Sequence, residues 1–182
     1  MAETKTDEDI IAEVVAGNTD AFGLIVSKYY RVVFSVSYRY LNHYQDAEDM
    51  TQEVFTRAFA KAGEFEAYGS IYRWLMRITI NLCINEARSA RRRLTQLREM
   101  NDVPAAAGEE GMMDFQMKQD IQKVIGDLPS PQRMALILSR YEGLTYGEIA
   151  HMMDRSVSSV ESLLVRAKRT LMKKLEKYTV QH

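Results

Sequence analysis

The sequence predicts an all-α protein of two small helical domains joined by a flexible acidic linker. Three observations carry that prediction. Apolar residues recur at helical spacing through residues 7–100 and again through most of 114–178. No two alternating runs are joined by a hairpin signal such as Asn-Gly, and no internal repeat is visible. Between Leu94 and Met113 the periodicity fails, and Asp102-Val-Pro-Ala-Ala-Ala-Gly-Glu-Glu-Gly has the small, acidic composition of a tether.

Each element has its own signals. Asp7 or Asp9 is placed to cap a first helix that runs through Val15 and stops at Gly17-Asn18. Asp20 opens a second, Ala21 to Leu41; its β-branched content suits a strand, but so long a run without a turn signal argues for a helix. Asp46 to Ala62 reads as the third, with Gly63 as its stop. Ser70 to about Arg93 reads as the fourth. After the tether, Asp114 to Gly126 resumes as a helix. Pro129-Ser-Pro131 interrupts it, and Pro131 suits the first turn of a helix reaching about Glu142 before Gly143. Segments 146–153 and 159–178 complete the set.

Composition narrows the setting. No apolar run approaches the roughly 18 residues of a membrane span. Met1 to Asp9 is acidic and polar, the opposite of a secretory signal. The single cysteine, Cys83, excludes an internal disulfide and fits a reducing cytoplasm. A soluble cytoplasmic protein is the expectation.

The net charge of −1 conceals an alternation. Residues 1–66 carry six Lys/Arg against twelve Asp/Glu, and residues 70–93 carry six against one. Residues 94–154 carry five against ten, and residues 155–182 carry seven against two. A polyanion such as DNA is drawn to the two basic blocks and repelled by the acidic ones. A lone basic block reads first as a solvated helix face; two, each on an amphipathic helix, shift the balance toward a ligand.

A helix-turn-helix pattern leads into the second basic block. Thr145-Tyr-Gly-Glu148 is a capping box opening a short helix that should bury Ile149, Ala150 and Met153. Asp154-Arg155-Ser156 forms a tight connection, and Ser158-Ser-Val-Glu161 reads as a second capping box. On the longer helix, Val160, Leu163, Leu164, Ala167 and Leu171 share the apolar side. Ser158, Ser162, Val165, Arg166, Arg169 and Lys173 fall opposite, with Glu161 and Lys168 at the flanks. Short polar groups near a helix start reach base edges, and cations further on neutralise phosphate. Glu161 has two readings here, the capping carboxylate or an acceptor for a cytosine amino group.

The first basic block is a helix with arginines at one-turn spacing. Ile71, Trp74, Leu75, Ile78 and Leu82 form its apolar stripe, and Arg73, Arg77, Asn81, Ile84, Arg88 and Arg91 run opposite. Such arginines can track a phosphate backbone, and Asn81 can bond a base edge. Tyr68 and Tyr72 are near enough to stack on an unpaired base. Trp74 reads first as core. In the acidic helix before it, Asp49, Gln52 and Glu53 share a face that cannot grip DNA and suits water or a protein partner.

Taken in order, these residues resemble the extracytoplasmic-function class of bacterial sigma factors, from about Asp9 to Lys177. Asp46-Ala-Glu-Asp-Met-Thr-Gln-Glu-Val-Phe is similar to that family's region 2.2, and Tyr72-Arg-Trp-Leu-Met-Arg-Ile-Thr-Ile-Asn81 to its region 2.3 to 2.4. Leu144-Thr-Tyr-Gly-Glu-Ile-Ala resembles the start of its region 4.2. The resemblance implies region 2 over residues 1–93, a linker over 94–113 and region 4 over 114–182.

It also implies roles. Asp49, Gln52 and Glu53 would bind core RNA polymerase at the clamp helices of its largest subunit. Asn81, within the basic face formed by Tyr68, Tyr72, Arg73, Arg77, Arg88 and Arg91, would help recognise and melt the −10 element of promoter DNA. Glu161, Ser162, Val165 and Arg166, with Ser158 and Arg169 on the same face, would read the −35 element. The linker would thread the polymerase's active-site cleft and RNA exit channel. Relatives are often held inactive by an anti-sigma factor, commonly tethered at the inner face of the membrane. This chain departs from the family at Glu161 and Leu163, where a basic residue is frequent, so a different −35 preference is expected.

Two rival classes are weaker. A stand-alone helix-turn-helix regulator accounts for residues 144–178 but not for a basic strip beside an acidic helix. An enzyme is disfavoured because His43, His151 and His182 lack metal-ligand spacing and no Gly-rich phosphate loop occurs. No cofactor or small-molecule substrate is expected.

Overall fold

A computed structural model of the chain describes residues 5–65, 70–100 and 121–179, and no strand occurs among them. The all-α prediction holds. The chain divides into two compact units, the first holding residues up to Cys83 and the second the bulk of those from Ile84 onward.

The first unit begins with α1 (Asp7–Val15), whose cap is Thr6 rather than either aspartate proposed from the sequence. The Asp9 amide donates to Thr6 Oγ1 at 3.2 Å, while the Thr6 amide and hydroxyl donate to Asp9 Oδ2 at 3.1 and 2.7 Å. Asp9 is therefore the reciprocal half of a capping box. At the far end Gly17 takes φ +106°, which lets the Asn18 and Gly17 amides reach the carbonyls of Glu13 and Val14 at 3.0 and 3.1 Å.

A 3-10 turn at Thr19–Ala21 leads into α2 (Phe22–Leu41), which ends on Asn42 in the left-handed region. Ile25, Val33, Val36 and Tyr40 face inward, so the strand-like composition of this segment fills the core side of a helix. Asp7 ties α1 to α2 by accepting from Lys28 Nζ at 2.7 Å and from the Tyr29 hydroxyl at 2.5 Å.

The third helix, α3 (Tyr44–Ala60), starts and stops earlier than the sequence reading of 46–62. His43 Nδ1 accepts from the Asp46 amide at 3.4 Å, which moves the start upstream. Gly63 has no positive φ and sits in a 3-10 turn at Ala62–Glu64 instead of closing the helix.

Ser70 caps α4 (Ile71–Met100) through the Arg73 amide at 3.4 Å. Its backbone continues through Met100 rather than ending near Arg93. No glycine or proline lies between Gly69 and Pro104, so nothing in that stretch breaks a helix. Ile10, Ile11, Val14, Phe22, Ile25, Val33, Val54, Phe55, Ile71 and Leu75 form the unit's core. Each fully buried side chain of this size contributes about 1.5–3 kcal/mol by leaving water.

Beyond α4, the second unit holds α5 over residues 121–126; the earlier part of the predicted 114–126 helix lies outside the described residues. The α6 helix (Ser130–Tyr141) carries Pro131 in its first turn, and Gly143 at φ +65° ends the excursion beyond it. The Arg133 guanidinium donates to the carbonyls of Gly126 and Leu128, satisfying the end of α5. Two helices follow, α7 (Tyr146–Met153) and α8 (Val157–Thr179). Val124, Leu128, Met134, Ile137, Leu138, Ile149, Val160, Leu164 and Ala167 are buried here, with α6 and α8 as the main packing pair. Lys174 Nζ meets Asp127 Oδ2 at 2.5 Å, joining the end of α8 to the α5–α6 turn.

Candidate nucleic-acid interface

Along α4 the faces separate as hydrophobic spacing requires. Ile71, Leu75, Met76, Thr79, Ile80, Leu82 and Cys83 are buried, while Arg73, Arg77, Asn81 and Arg88 are exposed. Met76, Ile80 and Cys83 were absent from the predicted stripe. They widen the buried face so that Trp74 and Ile78 lie at its edge, half-buried. Trp74 packs on Phe65, ring centroids 5.2 Å apart and tilted by 59°. Its core reading survives only in part.

Two details of the strip differ from the sequence reading. Ile84 is half-buried, and Asn85 takes the exposed position instead. Arg73, Arg77, Asn81 and Asn85 then follow one another at steps of four residues, about 6 Å each along the helix. The signal for Asn85 was present, since it stands four residues after Asn81. Tyr72 is half-buried. Tyr68 lies outside the described residues, and Arg91 lies on α4 with its side chain outside them.

On α3, Asp49, Gln52 and Glu53 are all exposed on one face, as predicted. Asp49 Oδ1 accepts from Gln45 Nε2 at 3.4 Å, and Glu53 Oε1 accepts from Arg57 Nε at 2.5 Å. Both partners are on the same helix and exposed, so the carboxylates stay at the surface of α3. Exposed pairs of this kind are worth under about 1 kcal/mol and yield readily to a competing cation.

In the second unit the predicted Thr145 capping box is present. The Glu148 amide donates to Thr145 Oγ1 at 3.3 Å, and the Thr145 amide and hydroxyl donate to Glu148 Oε2 at 2.9 and 2.8 Å. The α7 helix buries Ile149, Ala150 and Met152, leaving the predicted Met153 half-buried. Asp154 adopts φ +53°, and the Arg155 amide returns to the Ala150 carbonyl at 2.9 Å, which turns the chain sharply into α8.

The second capping box does not form as read. The α8 helix starts at Val157, and its cap is Ser156, whose Oγ accepts from the Ser159 amide at 3.2 Å. Ser158 is already inside the first turn, its hydroxyl 3.1 Å from that of Ser156. Glu161 is released from the capping role. Ser158, Glu161, Ser162, Val165, Arg166 and Arg169 are all exposed, and Val160, Leu164 and Ala167 are buried behind them. Leu163 and Leu171 are half-buried. The helix thus presents hydroxyls, a carboxylate and an apolar branch near its start, then guanidinium and ammonium groups.

The family profile for sigma-70 region 2 matches residues 25–93, and that for sigma-70, region 4 matches residues 118–171. The chain is 30% identical over 187 positions to the ECF RNA polymerase sigma-E factor of Haemophilus influenzae, covering 97% of this chain and 98% of that one. It is 30% identical over 188 positions to the ECF RNA polymerase sigma-E factor of Escherichia coli, covering 97% of each. To the RNA polymerase sigma-H factor of Pseudomonas aeruginosa it is 29% identical over 191 positions, again covering 97% of each. Among solved structures, the fold matches the sigma factor RpoE from Bartonella quintana, determined in complex with the anti-sigma factor NepR. That match has a TM-score of 0.66 and 24% identity, and covers 85% of this chain and 96% of that one. CnrH, solved with the cytosolic domain of CnrY, matches with a TM-score of 0.65 and 22% identity over 95% of this chain and 99% of that one. The chain belongs to the extracytoplasmic-function RNA polymerase sigma factors and directs polymerase to promoters.

Proposed function

We propose that the sigma-factor activity is divided among three surfaces. The α3 face of Asp49, Gln52 and Glu53 docks on the clamp helices of core RNA polymerase. The α4 strip of Arg73, Arg77, Asn81 and Arg88, with Tyr68, Tyr72 and Arg91, holds the melted −10 strand. The exposed face of α8, from Ser158 to Arg169, reads the −35 duplex. The corresponding division of the chain is 1–93, 94–113 and 114–182, with the helical backbone of α4 extending into the tether as far as Met100.

One observation supports this most directly: two cation-bearing helix faces and one anionic face are all exposed in the same chain. Cations meet phosphate, and carboxylates avoid it. A chain that only bound DNA has no use for the α3 face.

The same reading makes the protein a non-catalytic factor acting in the cytoplasm, where polymerase works. No described helix is long and apolar enough to cross a membrane. Control by an anti-sigma factor belongs to the reading too, supported by the anti-sigma factor NepR found bound in the Bartonella structure.

Run-off transcription with purified core polymerase, read by start-site mapping, tests the proposal. Gel shifts of promoter DNA with and without core enzyme should give a specific band only when core is present. A specific band from the isolated chain would point to a stand-alone regulator instead.

A further inference from the structure

We propose that Glu161 selects a cytosine in the −35 element, an assignment that rests on the reading of α8 as the −35 helix. Three features of the structure converge on this side chain. Ser156 already caps α8 through the Ser159 amide at 3.2 Å, so the carboxylate has no capping work. Residues three and four positions away on either side are Val157, Ser158, Leu164 and Val165, so no cation of α8 stands at ion-pairing distance along the helix. Glu161 is exposed, and Val157 and Val165, one turn before and one turn after it, are 51% and 50% exposed. An outward row of valine, glutamate, valine is poorly suited to water and well suited to the floor of a groove.

The chemistry of the major groove then chooses the base. A carboxylate only accepts hydrogen bonds, and it lies among phosphates, so it is repelled unless a donor meets it. Guanine offers N7 and O6, and thymine offers O4; all are acceptors. Adenine offers its N6 amino group, but the N7 acceptor stands beside it. Cytosine presents the N4 amino group with an acceptor on one side only, the paired guanine's O6, whereas the adenine amino group is flanked by N7 and by the paired thymine's O4. Cytosine is the base that satisfies Glu161 with the least repulsion. The methyls of Val157 and Val165, about 6 Å away along the helix on either side, can meet thymine methyl groups on flanking pairs.

The test uses the full-length chain assembled with core polymerase from its own source, transcribing a promoter library randomised across the −35 region. With each −35 sequence tied to a barcode in the transcribed region, the transcripts made by the wild-type holoenzyme should enrich cytosine at one position roughly ten-fold or more over guanine and thymine, a ratio within the range of a single good base contact. Glu161→Gln should move that position to adenine, because glutamine pairs with N6 and N7 together. Glu161→Ala should flatten the same position and leave the others unchanged. An unaltered base profile in Glu161→Gln, or a uniform loss at every position, would overturn the assignment. A wild-type profile with no base preference at any −35 position would overturn the −35 reading beneath it, a result distinguishable from the first two.

Discussion

The indole of Trp74 lies against the ring of Phe65 with 5.2 Å between centroids, joining the segment that follows α3 to the first turn of α4. This contact fixes the start of the basic helix relative to the end of α3. Phe65→Ala should expose the indole, and because Trp74 is the sole tryptophan its emission should move to the red. Trp74→Ala should cost about 1–3 kcal/mol in a denaturant melt, below the full cost of a buried aromatic because the ring is half-exposed. An unshifted emission in Phe65→Ala would mean that the pair does not persist in solution.

The capping of α8 makes a contrast between neighbours. Ser156→Ala should lower stability by about 1 kcal/mol, as loss of an N-cap does. Glu161→Ala, which removes no cap, should leave the melting temperature unchanged. Thr145→Ala should behave like Ser156→Ala. Thermal unfolding by circular dichroism reads all three, and a loss at Glu161 equal to that at Ser156 would restore the capping box inferred from the sequence.

Acid should loosen α1. Burial alone would raise the Asp7 carboxyl, but hydrogen bonds from Lys28 and Tyr29 and the Lys28 charge outweigh it and hold the group below its ordinary value. Hydrogen bonds from Thr6 lower Asp9, and one from Lys5 lowers Glu13. A depressed carboxylate stabilises the fold above its unfolded pKa of about 4, and that contribution is lost as pH falls through the lower folded value. Melting temperatures should therefore fall below about pH 4, and Asp7→Asn should flatten part of that decline.

Charge reversal should separate docking from melting. Arg77→Glu or Arg88→Glu should abolish open-complex formation, read by permanganate footprinting, while core binding persists. Asp49→Lys should do the reverse and reduce core binding itself. Equal loss of both activities in all variants would defeat the proposed division of labour.

Cys83 is buried, and burial pushes its thiol up to about 12, so no reactive thiolate exists at neutral pH. A maleimide should leave the native protein unlabelled and modify one thiol per chain after denaturation. Rapid native labelling would show that the core of the first unit opens readily.

Much of this protein was legible in its sequence because helical periodicity and charge are local quantities. The α4 strip, the acidic face of α3 and the outward face of α8 follow from steps of three and four residues. Whether a chemically suitable residue actually takes a role is less local. The sequence offered Asp7 or Asp9 for α1 and Ser158 for α8, yet Thr6 and Ser156 hold those positions. A cap is defined by where the backbone leaves the helix, and several adjacent polar residues can each meet the chemical requirement.

The sequence by itself determined an all-helical chain, its alternating charge and the faces that can meet DNA, since each depends on residues within a turn or two. Tertiary structure alone decided how deep each face is buried: it took in Met76 and Ile80, left Trp74 at the rim and exchanged Ile84 for Asn85 on the strip. Burial depends on which neighbouring helices cover a residue, and spacing along one helix carries no record of that. The release of Glu161 belongs to the same class, because only the observed start of α8 showed that another serine does the capping.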